Sequence, residues 1–322
     1  MATKSNKRVI AIEEHYFDPE LSATFKGGNP AHIQDRLLDV GAARIKGMDE
    51  AGIDVQVLSH GAPSTQRLDP ENAVRLATAV NDRLQETILL NPDRYAGFAA
   101  LPTPDPKAAA DELERCVTRH GFKGAMVHGL TNGEFLDEKK FWPIFERAEA
   151  LDVPLYMHPA IPHPDVTKAY YATYLEDYPG LLTAGWGFTV ETATQGIRIV
   201  LSGVLDKYPN LKIILGHLGE SLPFSLWRID QALSRPGNKS SSSSSFRDAF
   251  SEHFWITTSG NFSNPALLCC VMEMGIDRIL FSVDYPFVEN PPGVEWVEND
   301  VPLCKEDRIK ILSGNAEKLL RM

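Results

Sequence analysis

The sequence predicts an α/β fold, a (β/α)8 barrel that reads as one domain over residues 1–322. Three observations lead there. Short apolar runs alternate with segments of helical period; eight such runs can be counted; and several end on side chains able to bind a metal. The first run, 8–15, takes Val9-Ile10-Ala11-Ile12 into Glu13-Glu14-His15. The second, 53–60, opens after Gly52 and ends on His60, and the third, 94–101, follows the helix stop Asn91-Pro92-Asp93. The fourth, 122–128, ends in Val127-His128, and the fifth, 153–158, in Met157-His158. The sixth, 211–217, runs through Ile213-Ile214-Leu215-Gly216 to His217. The seventh is 254–259, and the eighth, 279–284, ends on Asp284.

The segments between them carry apolar residues at steps of three and four. Residues 34–51 place Leu37, Leu38, Ile45 and Met48 on one face, 72–90 place Val74, Ala77, Val80, Leu84 and Ile88, and 191–206 place Ile197, Val200, Leu201 and Val204. A doubly wound sheet has the same strand count. Side chains from strands 1, 5, 6 and 8 meet in one pocket only if the sheet closes, so the chemistry favours the barrel. Two stretches break the pattern. Residues 159–189 form a loop insertion rich in aromatics at the face where active sites form, and are expected to cover the site. The run Ser240 to Ser245 is low-complexity, is expected to be mobile, and receives no function.

Composition narrows the partners. A net charge of -11 with no basic block argues against nucleic acid, and the absence of 18 consecutive apolar residues argues against a membrane span. Cys116, Cys269, Cys270 and Cys304 form no CxxC pair, and the polar N-terminus runs into a strand candidate without a signal-type apolar region. A reducing, cytoplasmic setting is the expectation.

Of nine histidines, five (His15, His60, His128, His158 and His217) lie at or beside strand C-termini. A single histidine there often does no more than hydrogen-bond a loop; five with Glu13 and Asp284 are harder to explain that way. Glu13 and His15, two apart on a strand, share a face, which in a barrel is the interior, and Glu14 then points outward. With His158 and Asp284 they offer two carboxylates and two imidazoles, a set suited to one divalent cation, Zn²⁺, Mn²⁺ or Mg²⁺. His60 and His128 are pocket candidates on position alone.

Glu-Glu-His after strand 1, Met-His-Pro after strand 5, Gly-His-Leu-Gly-Glu at 216–220 and Leu-Phe-Ser-Val-Asp-Tyr-Pro-Phe at 280–287 resemble the amidohydrolase superfamily. The likeness is to its decarboxylase branch, which includes γ-resorcylate, dihydroxybenzoate and aminocarboxymuconate-semialdehyde decarboxylases. Trp227-Arg228-Ile229-Asp230, residues 256–262 and Gly314 to Leu319 extend it over nearly the whole chain. Hydrolytic relatives open with His-x-His and bridge two metals through a strand 4 lysine. This chain opens with Glu-x-His and ends strand 4 on His128, so one metal is expected.

The resemblance implies a metal-dependent, non-oxidative decarboxylase of an ortho-hydroxy aromatic acid of salicylate, methylsalicylate or dihydroxybenzoate type. It implies metal ligands Glu13, His15, His158 and Asp284, and Asp284 as proton carrier governed by His217. Glu220, three residues after His217, is placed to orient that imidazole or to answer a helix dipole. Phe287, Trp186, Phe188 and Tyr285 are candidate walls for an aromatic ring, and Arg228 or Arg67 a candidate partner for its carboxylate. The resemblance also implies a homodimer or homotetramer. A mononuclear hydrolase acting on a lactone or amide would use the same ligands, and a barrel kept only for binding would be expected to have lost one of them.

Overall fold

The computed structural model describes residues 8–25, 29–238 and 244–322; the serine run at 240–243 lies outside them. Eight parallel strands alternate with helices: β1 (Ile10–Tyr16), β2 (Val55–His60), β3 in two pieces (Tyr95–Gly97 and Ala99–Ala100), β4 (Ala125–His128), β5 (Leu155–His158), β6 (Ile213–Leu215), β7 (Phe254–Thr257) and β8 (Ile279–Leu280). Each lies within its predicted run or extends it by one residue. The break in β3 does not open the sheet: Phe98 N–H donates to Leu58 O at 2.9 Å and Lys123 N–H to Gly97 O at 2.9 Å. Between β8 and β1 the Ile12 N–H donates to Phe281 O at 3.3 Å, and His15 N–H to Tyr285 O at 2.7 Å. These bonds close the barrel.

The main helices after successive strands are α1 (Ala42–Ala51), α2 (Pro70–Leu90), α3 (Pro106–Arg115), α4 (Trp142–Leu151), α5 (Gly187–Leu201), α6 (Leu222–Leu233), α7 (Asn264–Met274) and α8 (Asn315–Leu320). Their ends follow from sequence. Asp69 accepts from Asn72 N–H and Asp105 from Ala108 N–H, each with proline at the first helical position. Gly52, at φ 75°, ends α1 in the left-handed conformation and turns the chain into β2. The expected helix over 34–51 is two helices, Ala31–Leu38 and α1. Asp39 adopts an extended backbone and its carboxylate accepts from Gly41 N–H at 2.8 Å, an alternative to helix continuation. Among the described residues no helix is long and apolar enough to cross a membrane.

Alternation along the strands builds two apolar layers. Ile10, Ile12, Val55, Val57, Phe98, Met126, Tyr156, Ile214 and Leu280 fill the barrel interior, closed below by Ala316, Leu319 and Leu320 of α8. Ala11, Leu58, Val127, Met157, Leu215, Ile256, Phe281 and Val283 point outward into the helical layer. On β1 the alternation changes phase. Ala11 pairs with Gln56 and Glu14 with Leu58, so two residues of β1 stand opposite the single Val57. This β-bulge lets Ile12 and Glu13 both serve the interior, after which His15 faces in and Glu14 faces out.

The insertion at 159–189 consists of short helical turns. Of its aromatics, Tyr171 is buried, while Tyr170, Tyr174, Tyr178 and Trp186 are exposed.

Candidate metal centre

The interior phase set by the strands carries Glu13 and His15 on β1, Ser59 on β2, His128 on β4, His158 on β5 and Thr257 on β7 to the C-terminal mouth of the barrel. Asp284 arrives from the loop after β8. One donor atom from each of Glu13, His15, His158 and Asp284 lies within 4.8 Å of the other three. His15 Nε2 is 3.4 Å from Asp284 Oδ1, and His158 Nε2 is 3.3 Å from Glu13 Oε1. The residues fit a divalent cation. Glu13 Oε1, His15 Nε2 and Asp284 Oδ1 are buried and have no hydrogen-bond partner among the described residues, a costly arrangement unless something positive sits among them. Two carboxylates with two imidazoles suit a divalent ion such as Mn²⁺ or Zn²⁺.

The opposite edge of the ligands is held by protein. Glu13 Oε2 accepts from the Tyr156 hydroxyl and from Thr257 Oγ1 at 3.2 Å, which leaves Oε1 for the centre. Gly216 makes room for that carboxylate, since a Cβ there would stand 2.8 Å from Glu13 Oε2. Ser59 Oγ lies 3.2 Å from His15 Nδ1. Asp284 sits at φ 76°, a left-handed conformation costly for a non-glycine residue. Glu14 holds the chain on both sides of it: Oε1 accepts from Val283 N–H at 2.9 Å and Oε2 from Tyr285 N–H at 3.2 Å. The fully buried Arg44 donates to His15 O at 2.7 Å and Gln56 Oε1 at 2.7 Å, and Gln56 Nε2 reaches Glu14 Oε2 at 3.4 Å. Sequence reasoning gave Glu14 an outward direction but no task. Tyr156, Thr257 and Ser59 were missed, although each shares the interior phase with a ligand or faces one.

His217 completes the pocket. It begins a run of five positive-φ residues, His217 to Ser221, that curls the loop after β6 as a left-handed turn. The turn brings His217 Nδ1 to 2.7 Å from Glu220 Oε1 and leaves Nε2 at 3.6 Å from both Glu13 Oε1 and Asp284 Oδ2. Glu220 is buried and also accepts from Thr189 Oγ1 at 2.8 Å, which ties it to protein rather than solvent on the side away from His217. Burial opposes charge on His217, but Glu220, Glu13 and Asp284 outweigh it and hold the imidazole well above its usual range. Burial likewise pushes Asp284 up, and the facing His15 and His217 bring it below the usual carboxylate range.

The remaining candidates divide. Phe287 stands beside the ligands, its ring centroid 5.8 Å from that of His15. His128 is fully buried behind His158, its Nδ1 3.0 Å from His158 Nδ1 and its Nε2 2.8 Å from His60 O. His60 is a correction. It has the outward phase of β2, opposite to Ser59; its ring stacks on Phe17 at 5.3 Å and its Nδ1 donates to Gly61 O at 2.9 Å. Burial pushes it down to about 4, so it is a neutral core imidazole. Trp186 is half exposed at the start of α5, and Arg228 is exposed on α6. Lys123, at the other end of β4, points to Arg321 O, so β4 sends a histidine rather than a lysine toward the centre.

Comparison with known proteins agrees with this geometry. A family model described as Amidohydrolase matches residues 20–322. The γ-resorcylate decarboxylase of Polaromonas sp. (strain JS666) is 41% identical over 326 residues, 97% of this chain and 98% of that protein. A crystal structure of dihydroxybenzoic acid decarboxylase from Polaromonas sp. JS666, with bound manganese and the inhibitor 2-nitroresorcinol, superimposes with a TM-score of 0.91 at 41% identity, covering 98% of this chain and 97% of that one. A structure of 2,6-dihydroxybenzoate decarboxylase complexed with 2,6-dihydroxybenzoate gives 0.90 at 39% identity, covering 98% and 100%.

Proposed function

The chain belongs to the amidohydrolase family, and from that premise we propose that it is a divalent-metal-dependent, non-oxidative decarboxylase of ortho-hydroxybenzoates, releasing CO₂ and a phenol. The observation that carries this is the pairing of an open four-donor cluster with an Asp284–His217 couple at its rim, in a chain about 40% identical to γ-resorcylate decarboxylases over nearly full length.

Glu13, His15, His158 and Asp284 would hold the cation. When bound, it supplies a positive charge that orients an ortho-hydroxy carboxylate and stabilises phenolate oxygen. The protein supplies the rest. Asp284 Oδ1 faces the ligand cluster, and Oδ2 faces His217 Nε2 at 3.6 Å. A proton held between these two atoms can be delivered from Oδ2 to the ring carbon that bears the carboxylate. The ring–carboxylate bond then breaks, its electron pair restores aromaticity, and the carboxylate departs as CO₂. One proton enters the ring for each CO₂ lost, and the Glu220-oriented His217 replaces it at Asp284. Phe287, nearly half exposed beside His15, offers a flat apolar wall to the ring.

Support for a homo-oligomer comes from α6 and α7, which pack together and leave Phe224 at 84%, Trp227 at 61% and Met272 at 83% exposure. Solitary large apolar residues are common on surfaces, but this number on adjacent helices fits burial against a second copy. Light scattering at micromolar concentration checks the mass.

The functional test is a substrate panel with the Mn²⁺-loaded protein in D₂O. Expected is CO₂ release from 2,6-dihydroxybenzoate or another ortho-hydroxybenzoate, with one deuterium at the vacated ring position. Turnover of lactones or amides with ¹⁸O incorporation in a parallel panel run in H₂¹⁸O, and none of the hydroxybenzoates, would assign the site to hydrolysis instead.

A further inference from the structure

β4 and β5 pair in parallel with His128 beside His158, and both have the interior phase. Their rings lie 4.8 Å apart between centroids. The hydrogens on this pair are determined by what they face. His128 Nε2 is 2.8 Å from the His60 carbonyl oxygen, which can only accept, so Nε2 carries a hydrogen. His128 is buried and no carboxylate among the described residues contacts it, so it is neutral and its Nδ1 bears a lone pair. His158 Nδ1 is 3.0 Å from that lone pair and 2.7 Å from the Pro159 carbonyl oxygen. Both neighbours accept, so His158 carries its hydrogen on Nδ1. The lone pair of His158 is thereby left on Nε2, the atom facing Glu13 Oε1 at 3.3 Å.

We propose that His128 is a positioning residue: anchored by the His60 carbonyl, it fixes the tautomer and ring plane of His158 so that Nε2 is presented to the cation. This moves His128 from the substrate to the metal, and makes the backbone of residue 60, not its imidazole, the functional part. It rests on the reading that the site binds a divalent cation. The Pro159 carbonyl favours the same tautomer but belongs to the loop next to the ligand; His128 ties the ring to the neighbouring strand. Outer partners of metal-bound histidines typically contribute about tenfold to a hundredfold in metal affinity.

The test compares Mn²⁺ affinity, read as the free-ion EPR signal, for wild type, His128→Leu and His128→Asn. Asparagine places Oδ1 where Nδ1 stood and can accept from His158; leucine fills the space and cannot. Expected is a fall of about tenfold to a hundredfold for His128→Leu and recovery to within about threefold of wild type for His128→Asn. Equal affinity in all three proteins, or asparagine as weak as leucine, overturns the proposal. Wild type that binds no Mn²⁺ would instead reject the metal reading itself. Should His128→Leu not fold, ¹⁵N spectra of histidine-labelled, metal-free wild type decide: hydrogen on His158 Nδ1 with a nitrogen–nitrogen coupling across the hydrogen bond to His128 Nδ1 supports it, and hydrogen on Nε2, or on Nδ1 without that coupling, overturns it.

Discussion

Glu14→Gln isolates the part of the site that never touches cation or substrate. Glu14 is fully buried, and its two oxygens accept from the amides of Val283 and Tyr285, which flank Asp284. Glutamine keeps the size and one acceptor but turns an NH₂ group toward the other amide, so two donors face each other. One buried N–H then goes unpaired, at a cost of about 1–3 kcal/mol. That is comparable to the strain of a non-glycine residue at positive φ, roughly 1–3 kcal/mol, which Asp284 sustains at 76°. The loop should therefore relax and carry Asp284 away from His15 and His217. A displacement of 1 Å in a reacting group costs on the order of a hundredfold in rate. The assays are urea unfolding and kcat for 2,6-dihydroxybenzoate at saturating Mn²⁺. A variant with unfolding free energy within about 0.5 kcal/mol of wild type and unchanged kcat would refute the reasoning, because the clamp would then be idle.

Asp284→Asn should lower kcat by about a hundredfold or more while retaining some Mn²⁺ binding, since the amide oxygen can still ligate but Oδ2 no longer carries a proton; stopped-flow turnover alongside metal analysis separates the two effects. Removal of metal should abolish decarboxylation and lower stability, and Mn²⁺ at a hundred times its Kd should restore about 2.7 kcal/mol, read by thermal unfolding with and without chelator. Burial alone pushes the Glu191 carboxyl on α5 up to about 7 from 4.5. The folded state therefore binds this proton more tightly than the unfolded chain, and stability falls as pH rises from about 4.5 through 7. The loss should be about 1–2 kcal/mol once solvent screening is allowed for, and Glu191→Gln should remove that share of the slope in melts between pH 5 and 8.

Much of this architecture could be read from the chain because a parallel barrel writes strands as apolar runs and puts ligands at their ends. Glu13, His15, His158 and Asp284 were legible on that basis. His60 shares the strand-end position of the ligands but not their phase: Val55 and Val57 fill the interior, so β2 points residue 60 outward. The task of Glu14 depends on amides 269 and 271 residues away, which no local pattern encodes. The division of 34–51 into two helices turned on one aspartate side chain competing for a backbone amide. The apolar residues of 8–12 gave no phase at all, since strands buried on both faces do not alternate.

The single surplus residue in β1 uncouples the two ends of that strand. Ahead of it, the frame is fixed by the hydrophobic floor; beyond it, by the cation. One further residue inserted between Ile12 and Glu13 would leave every letter of the Glu-Glu-His motif intact yet exchange the duties of its members, turning Glu14 toward the ion and sending Glu13 and His15 into the helical shell. The spelling of the motif is therefore insufficient without the spacer that sets its rotation.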